Sequence, residues 1–347
     1  MNPSSSDRYA RQRQFAPIGA QGQQRIEQAE VAVLGCGALG TVAAELLCRA
    51  GVGQIRIVDR DVVEWTNLQR QSLFDSEDAR QGASKAEAAC RRLRQINDQV
   101  KLTPIVTDVH AGNIESVLDG AQLVIDATDN FGIRFLLNDW ALATGTAWVH
   151  GGCVGAAGQV RLFDGNDRPC FRCLIPQLPP AGAVDTCDTA GVIGPATHLI
   201  ASLQSAEAIK WISGNRDAVS KSVFSIDLWN NRVRHVTLDP AIAPDCIACV
   251  GREFDFLRGD ALQSSEGALC GRDAVQLNPQ NDSVRIDLTE MARRWESIGA
   301  VQSTRFFTRL QIDDTTQLTL FRDGRVVVDG TDDVARARSL FDRFVGN

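Results

Sequence analysis

The chain has 347 residues, 44% hydrophobic and 23% charged, an ordinary composition for a globular enzyme and enough length for two or three domains. Its net charge of -7 argues against nonspecific binding to nucleic acid or to anionic membranes. No apolar run approaches the roughly 20 residues that cross a bilayer, and Met1–Arg13 lacks the apolar core of a signal peptide. A cytoplasmic location is therefore expected. The ten cysteines are then expected to be thiols, metal ligands or catalytic groups rather than disulfides.

In chain order, Val31–Leu34 reads as a buried strand and Thr41–Ala50 as a helix closed by Gly51. Gln54–Asp59 is the next strand. Gly82–Asn97 is a helix with Ser84 as N-cap and Glu87 three residues on, a capping box. Strands Leu102–Val106 and Leu123–Ala127 follow, then a helix over Gly132–Thr144. This alternation predicts a doubly wound, mainly parallel α/β sheet. Trp148–Val154 and Gln159–Phe163 add an antiparallel extension, residues 176–190 form a Pro/Gly-rich exposed or mobile loop, and Leu199–Trp211 is a further helix. Residues 1–251 make the nucleotide-binding domain and 252–272 a linker. Residues 273–347 form a small α+β domain: a short strand, a helix over Leu288–Ile298, strands Thr304–Ile312, Gln317–Phe321 and Val326–Val328 with a turn at Asp323–Gly324, and a closing helix.

The stretch VAVLGCGALG runs a strand into Gly35, Gly37 and Gly40, a spacing that leaves backbone N–H groups free for phosphate. Asp59, 19 residues after Gly40, ends the next strand, where a ribose-binding carboxylate belongs. NAD and ATP share this half-site. The residues that follow favour a triphosphate. Asp59–Gln71 reads DRDVVEWTNLQRQ, and Lys85 opens the capped helix, so a Lys and an Arg converge where phosphates would lie. Asp126–Asn130 reads DATDN at a strand's carboxyl end, the edge where open α/β sheets bind ligands. A carboxylate facing phosphates there calls for a bridging Mg2+.

Arg8–Gln12 (RYARQ), the GCGALG turn, Asp59 and Asp61, NLQRQ, Lys85, Thr128–Asn130 and two C-x-x-C pairs together resemble the MoeB/ThiF family. These are the ubiquitin-activating-enzyme-like adenylyltransferases of molybdopterin and thiamine biosynthesis. The resemblance spans about Asp7–Cys249. It implies a Rossmann-like ATP site and activation of a small ubiquitin-like sulfur-carrier protein. The carrier's C-terminal Gly-Gly carboxylate would become an acyl-adenylate, with loss of pyrophosphate. It also implies roles. The turn Gly35, Gly37, Ala38 and Gly40 would face the phosphates, Asp59 the ribose, and Asn67, Arg70 and Lys85 the phosphates, with Asp61 in the same site. Asp129 would hold Mg2+, with Asn130 near the nucleotide. Arg11 would reach in from the other subunit of a homodimer. Ala38 departs from the family, which often has a third Gly there.

Cys170 and Cys173 (PCFRC) with Cys246 and Cys249 (DCIAC) fit a closed tetrahedral Zn2+ site of structural role, and the family carries the same ligands. A redox pair and coincidence are the other readings, but neither pair is expected where a strand runs into a helix N-terminus, as a redox pair would be. Cys187, in TCDTAG, occupies the loop where family members place a cysteine that in some forms a covalent link to the carrier. It is a candidate nucleophile beside an activated acyl group, although Asp185 and Asp188 oppose its ionisation. Cys36, Cys48, Cys90 and Cys153 read as packing residues, and Cys270 as a small buried residue or a sulfur-accepting thiol. His110, His150, His198 and His235 receive no role, and Cys90–Arg94 (CRRLR) reads as a solvated helix face.

No cysteine-centred sulfurtransferase loop appears after Asp273, so sulfur would come from a separate sulfurtransferase or cysteine desulfurase, with neither nucleic acid nor membrane as a partner. Two rival readings are an NAD(P)-dependent oxidoreductase and a noncatalytic homologue that only binds the ubiquitin-like partner. The first leaves NLQRQ, Lys85 and TDN unexplained. The second leaves the charges of Arg11, Arg70, Lys85 and Asp129 without a purpose.

Overall fold

The computed structural model describes residues 8–166, 168–180, 190–259, 267–268, 273–277 and 286–346. The chain divides into two compact units, one of Met1–Pro179 with Gly191–Ala261 and one of Leu262–Asn347 with Pro180–Ala190.

The first unit is built on an eight-stranded sheet of order β3-β2-β1-β4-β5-β6-β7-β8. Its strands are β1 (Glu30–Leu34), β2 (Gln54–Val58), β3 (Lys101–Ile105), β4 (Leu123–Asp126), β5 (Ala147–Val154), β6 (Ala157–Phe163), β7 (Ser222–Asp227) and β8 (Arg232–Thr237). Neighbours from β3 to β5 pair in parallel and those from β5 to β8 antiparallel. β1 is central because its neighbours β2 and β4 lie on opposite sides, so the strand order reverses between β1 and β4. Ligands of open α/β sheets bind in the crevice at such a reversal.

The helices of this unit include α1 (Ala10–Gln14), α2 (Gly19–Gln28), α3 (Gly40–Ala50), α4 (Ser76–Gln81), α5 (Lys85–Ile96), α6 (Ile114–Leu118) and α7 (Phe131–Thr144). A long helix follows over Gly194–Ile212, packed on α3, β5 and β6. Val31, Val33, Ile55, Ile57, Leu123 and Ile125 form the core between these layers, with Leu47 and Leu93 from the helices. Cys36, Cys48, Cys90 and Cys153 are buried cysteines, and Arg91, Arg92 and Arg94 face solvent.

Several boundaries depart from the sequence reading for local reasons. α5 starts at Lys85 with Ser84 as N-cap, because Gly82 takes a left-handed conformation that closes α4 instead. The long helix begins five residues before Leu199, at Gly194, with Pro at its first turn. β7 and β8 are additional. β8 is exposed along its whole length, so it carries no in–out alternation by which to be read. Within the expected linker, Asp255–Arg258 is a helical turn that packs on α7 and buries Phe256.

The second unit is a six-stranded antiparallel sheet with helices Leu288–Trp295 and Val334–Phe344. Its central strands are Phe307–Gln311, Gln317–Phe321 and Val326–Asp329, and Gly324 (φ 88°) turns the last two into a hairpin. Ala300–Ser303 and Gly267–Ala268 add edge strands. Trp295 is fully buried among Leu310, Leu318, Leu320 and Val328, and its indole donates to the Phe344 carbonyl at 2.8 Å, tying one helix to the end of the other. Trp295→Ala is expected to cost about 3–5 kcal/mol, read as a lower urea midpoint for the transition that reports this unit.

Candidate active site

The Gly-rich turn lies against the end of β4. Gly35 has φ 88°, and a Cβ there would stand 2.8 Å from the Ala127 carbonyl oxygen; one at Gly40 would stand 1.9 Å from the Gly35 carbonyl oxygen. Only glycine admits both the turn and this approach. Gly37 is less confined, and it and Ala38 are half-buried, so the methyl of Ala38 is accommodated.

Asp59, at the end of β2, braces the turn. Its carboxylate accepts from the Cys36 amide at 2.6 Å and from the Asp61 amide at 2.7 Å. Burial pushes this carboxyl up, against Lys85 and the two amide donors. The segment after it is stitched to the start of α5: Val63 N–H donates to the Ala83 carbonyl and Lys85 N–H to the Asp61 carbonyl. That brings the buried Lys85 ammonium 3.1 Å from the Asp61 carboxylate. Burial opposes the Lys85 charge, but Asp61 and Asp59 outweigh it and hold its pKa above the ordinary lysine value.

Asn67 ends a short 3-10 turn over Trp65–Asn67 and is buried, its side-chain oxygen accepting from the Glu64 amide at 2.9 Å. Arg70 is half-buried and donates to the Thr66 carbonyl. Asp129 is exposed at the carboxyl end of β4, and Asn130 is the N-cap of α7, its oxygen accepting from Gly132 and Ile133 amides. The structure thus brings Gly35–Gly40, Asp59, Asp61, Lys85, Asn67 and the Asp129 loop to one sheet edge.

Arg11 is not brought to that edge by a described contact. It is exposed on α1, donating to Gln14. The rest of RYARQ anchors that helix: Arg8 pairs with Asp98, the Tyr9 hydroxyl accepts from Asn97 at 2.8 Å, and Gln12 donates to the Ala50 carbonyl at 3.0 Å. Cys187 and Cys270 lie outside the described residues.

Two features went unassigned in the sequence. Gln71 is buried beside Gly37, and its side-chain oxygen has no hydrogen-bond partner among the described residues. His150, given no role, joins Asp126: its Nδ1 lies 2.9 Å from the fully buried Asp126 carboxylate, which also meets Arg134 Nε at 3.3 Å and the Thr128 hydroxyl at 2.7 Å. Burial opposes the Asp126 charge, but Arg134, His150 and Thr128 outweigh it and hold the carboxyl below its usual range. Burial likewise lowers the His150 pKa, leaving a neutral ring that donates through Nδ1. The signal for this pair was the β4–β5 register, which sets Asp126 opposite His150.

Cys170, Cys173, Cys246 and Cys249 converge. Their sulfurs all lie within 4.8 Å of one another, with spacings of 3.8, 3.8 and 3.4 Å for Cys170–Cys173, Cys170–Cys246 and Cys173–Cys249. A tetrahedron with Zn–S bonds of about 2.3 Å has edges of about 3.8 Å, so the four sulfurs are compatible with zinc. Contrary to the sequence reading, Cys170 does sit at a helix N-terminus, as the N-cap of Phe171–Leu174. The two sulfurs from the other pair, rather than the local backbone, are what favour a metal over a redox couple. A cavity of about 690 Å³ opens beside Cys246, lined also by Phe135, Arg172, Leu178 and Phe256. Its lining includes no residue of the Gly-rich turn, so it is separate from the nucleotide edge.

Fold and site together define a nucleotide-binding α/β protein of doubly wound type with a four-cysteine knuckle. The ThiF family profile matches residues 9–248, and the chain belongs to that family. It is 40% identical over 340 residues to the sulfur carrier protein ThiS adenylyltransferase of Bacillus subtilis, covering 98% of this chain and 99% of that one. It is 37% identical to the sulfur carrier protein adenylyltransferase of Thermus thermophilus, covering 70% of this chain and 90% of the relative. Against the adenylyltransferase and sulfurtransferase MOCS3 of Culex quinquefasciatus it is 36% identical over 72% of this chain and 56% of that one. Among solved structures, Escherichia coli MccB superposes with a TM-score of 0.61 at 22% identity, covering 72% of this chain and 73% of that one, a likeness of fold. Among the described residues, no helix is long and apolar enough to cross a membrane.

The low pKa of Asp126 has a consequence for stability. Its carboxylate stabilises the fold above the unfolded-state value of about 3.9, and this contribution is lost as pH falls through the lower folded value. Asp126→Asn is expected to flatten the fall in urea midpoint below about pH 4 relative to the unaltered chain, measured over a pH series.

Proposed function

We propose that this protein is an ATP-dependent adenylyltransferase that activates the C-terminal Gly-Gly carboxylate of a small ubiquitin-like sulfur-carrier protein. The observation that carries this reading is the meeting of the Gly35–Gly40 turn, the Lys85–Asp61 pair and the exposed Asp129 at the sheet's reversal point. The near full-length identity to a named ThiS adenylyltransferase supports it.

The chemistry needs no general acid or base. A carboxylate oxygen of the carrier attacks the α-phosphorus of ATP, the bond to the bridging oxygen breaks, and pyrophosphate leaves with the electron pair. What the enzyme supplies is alignment and positive charge where negative charge grows. Asp59 would take the ribose hydroxyls, while Lys85, Arg70 and the Asn67 amide would hold the phosphates. Bringing phosphate to Lys85 exchanges one anionic partner, Asp61, for another, so the ammonium stays charged throughout. Gln71, whose side-chain amide nitrogen lies beside Gly37 and whose oxygen has no hydrogen-bond partner among the described residues, joins the nucleotide-facing set. Asp129 would hold Mg2+, which would supply positive charge against the phosphates, and Asn130 would lie near the nucleotide. One carboxylate suffices, since Mg2+ takes its other ligands from phosphate and water.

Arg11 would act across a homodimer, projected toward the partner's nucleotide by the anchored helix α1. Cys187 is a candidate acceptor for the activated acyl group, with a sulfurtransferase or cysteine desulfurase as the sulfur donor. The four cysteines would hold one structural Zn2+, tying Cys246–Cys249 to the Cys170–Cys173 turn, in a cytoplasmic enzyme. Residues 273–347 would be a separate domain after a linker.

ATP–pyrophosphate exchange is expected only when the cognate Gly-Gly carrier is present. Asp129→Ala should lower it at least ~100-fold while leaving carrier binding intact, which a noncatalytic homologue would not show. Arg11→Ala should be comparably inactive alone, yet mixing it with Asp129→Ala should restore exchange, since mixed dimers rebuild one complete site. Failure of the mixture to recover would refute the action of Arg11 across a dimer. Metal analysis of the purified protein should find about one zinc per chain. Cys246→Ser should lose the metal and melt earlier; a metal-free preparation with an unchanged melting temperature would refute the zinc assignment.

A further inference from the structure

We propose that Asp126, Thr128 and Arg134 form a buried latch that fixes Asp129 in place to receive the metal of Mg·ATP, Thr128 and Arg134 acting as positioning residues. This rests on the assignment of Asp129 to that metal in the preceding subsection.

The loop between β4 and α7 is held from beneath at nearly every residue. Ala127 N–H donates to the Leu34 carbonyl of β1 at 2.9 Å. All three polar groups of Thr128 are committed. Its amide and hydroxyl donate to one oxygen of Asp126 at 3.1 and 2.7 Å, and its carbonyl accepts from Arg134 at 2.5 Å. Asn130 caps α7. Asp129 is left between these anchors, exposed, with its backbone pinned on both sides.

Arg134 closes the arrangement. From the first turns of α7 its guanidinium meets the second Asp126 oxygen at 3.3 Å, the Thr128 carbonyl, and the Gly151 carbonyl of β5 at 3.4 Å. It therefore joins the strand end, the loop and the neighbouring strand. His150 Nδ1 from β5 and the Gln204 amide from the helix over Gly194–Ile212, which donates to the Asp126 carbonyl at 2.7 Å, hold Asp126 as well. Asp126 itself is fully buried and cannot reach the nucleotide, so its charge acts on the site only through Thr128 and Arg134. The arrangement suits Mg2+, which demands near-ideal octahedral geometry at about 2.0–2.1 Å. A carboxylate on a loop with no slack meets that demand at less entropic cost than one on a loose loop.

The test measures the Mg2+ dependence of ATP binding by titration calorimetry on the full-length protein, with ATP binding in EDTA and thermal melting alongside. Thr128→Val keeps the shape of the side chain and removes the hydroxyl; Thr128→Ser restores it. The Mg2+ concentration for half-maximal enhancement of ATP binding is expected to rise about tenfold in Thr128→Val, one lost hydrogen bond to a charged group, and at least as much in Arg134→Gln. It should stay within twofold of the parent in Thr128→Ser. ATP affinity in EDTA should change less than twofold in both threonine variants.

If Asp129→Ala shifts the Mg2+ dependence but Thr128→Val does not, the latch is wrong and the metal assignment stands. A Thr128→Val loss of equal size in EDTA also overturns it, making Thr128 a general structural residue. If Asp129→Ala itself leaves the Mg2+ dependence unchanged, the metal assignment fails and takes the latch with it.

Discussion

The close approach of the Gly-rich turn to the end of β4 is the constraint on which the rest of the nucleotide edge depends. With Gly35 in a left-handed conformation and its Cα against the Ala127 carbonyl, the turn can leave β1 sharply, start α3 at Gly40 and still lie beside the next strand's loop. A side chain at Gly35 would force the two loops apart, and one at Gly40 would collide with the Gly35 carbonyl inside the turn, so the crevice between β1 and β4 would lose its shape. Asp59 works on the same turn from the other side by holding the Cys36 amide. The backbone of the turn is therefore set by contacts from the ends of β2 and β4 together.

Charge at this edge is paired in advance. Lys85 is buried, yet it keeps its proton because Asp61 and Asp59 outweigh the cost of burial. Asp126 is buried and keeps its negative charge because Arg134, His150 and Thr128 outweigh the same cost. A buried ion of either sign without its partner would shift its pKa or unfold the site. Each of these two charges is paired within the protein itself. That arrangement suits the proposed adenylyl transfer, which needs no proton to move.

The cysteine knuckle reaches the same edge through α7. Phe171 donates its amide to the Asn138 side chain at 3.0 Å, and Arg172 lies between Asp139 and Asp255 and against the rings of Phe135 and Phe256. α7 thus carries the knuckle at its middle and the Asn130 cap at its start. A metal among the four cysteines would secure the far side of the helix that closes the Asp129 loop.

Much of the site was legible in the sequence because its backbone requirements are local. The spacing of Gly35, Gly37 and Gly40, the Ser84 cap before Lys85 and the strand ending at Asp126 follow from turn sterics, capping and periodicity. The parallel core of the sheet followed from alternating elements. What stayed hidden depends on register and on packing between distant segments. Asp126 meets His150 only because β4 and β5 align in one register, and Gln204 reaches both strands only because Gly151 leaves room for it. β8 escaped notice because both of its faces are exposed. In RYARQ the sequence named the arginine that would act in trans, while the structure showed Tyr9 and Gln12 tying α1 to the rest of the unit. Residue type and spacing determined which chemistry was on offer. Long-range pairing decided which buried groups hold it in position, because hydrogen bonds and ion pairs between distant segments leave no period in the chain.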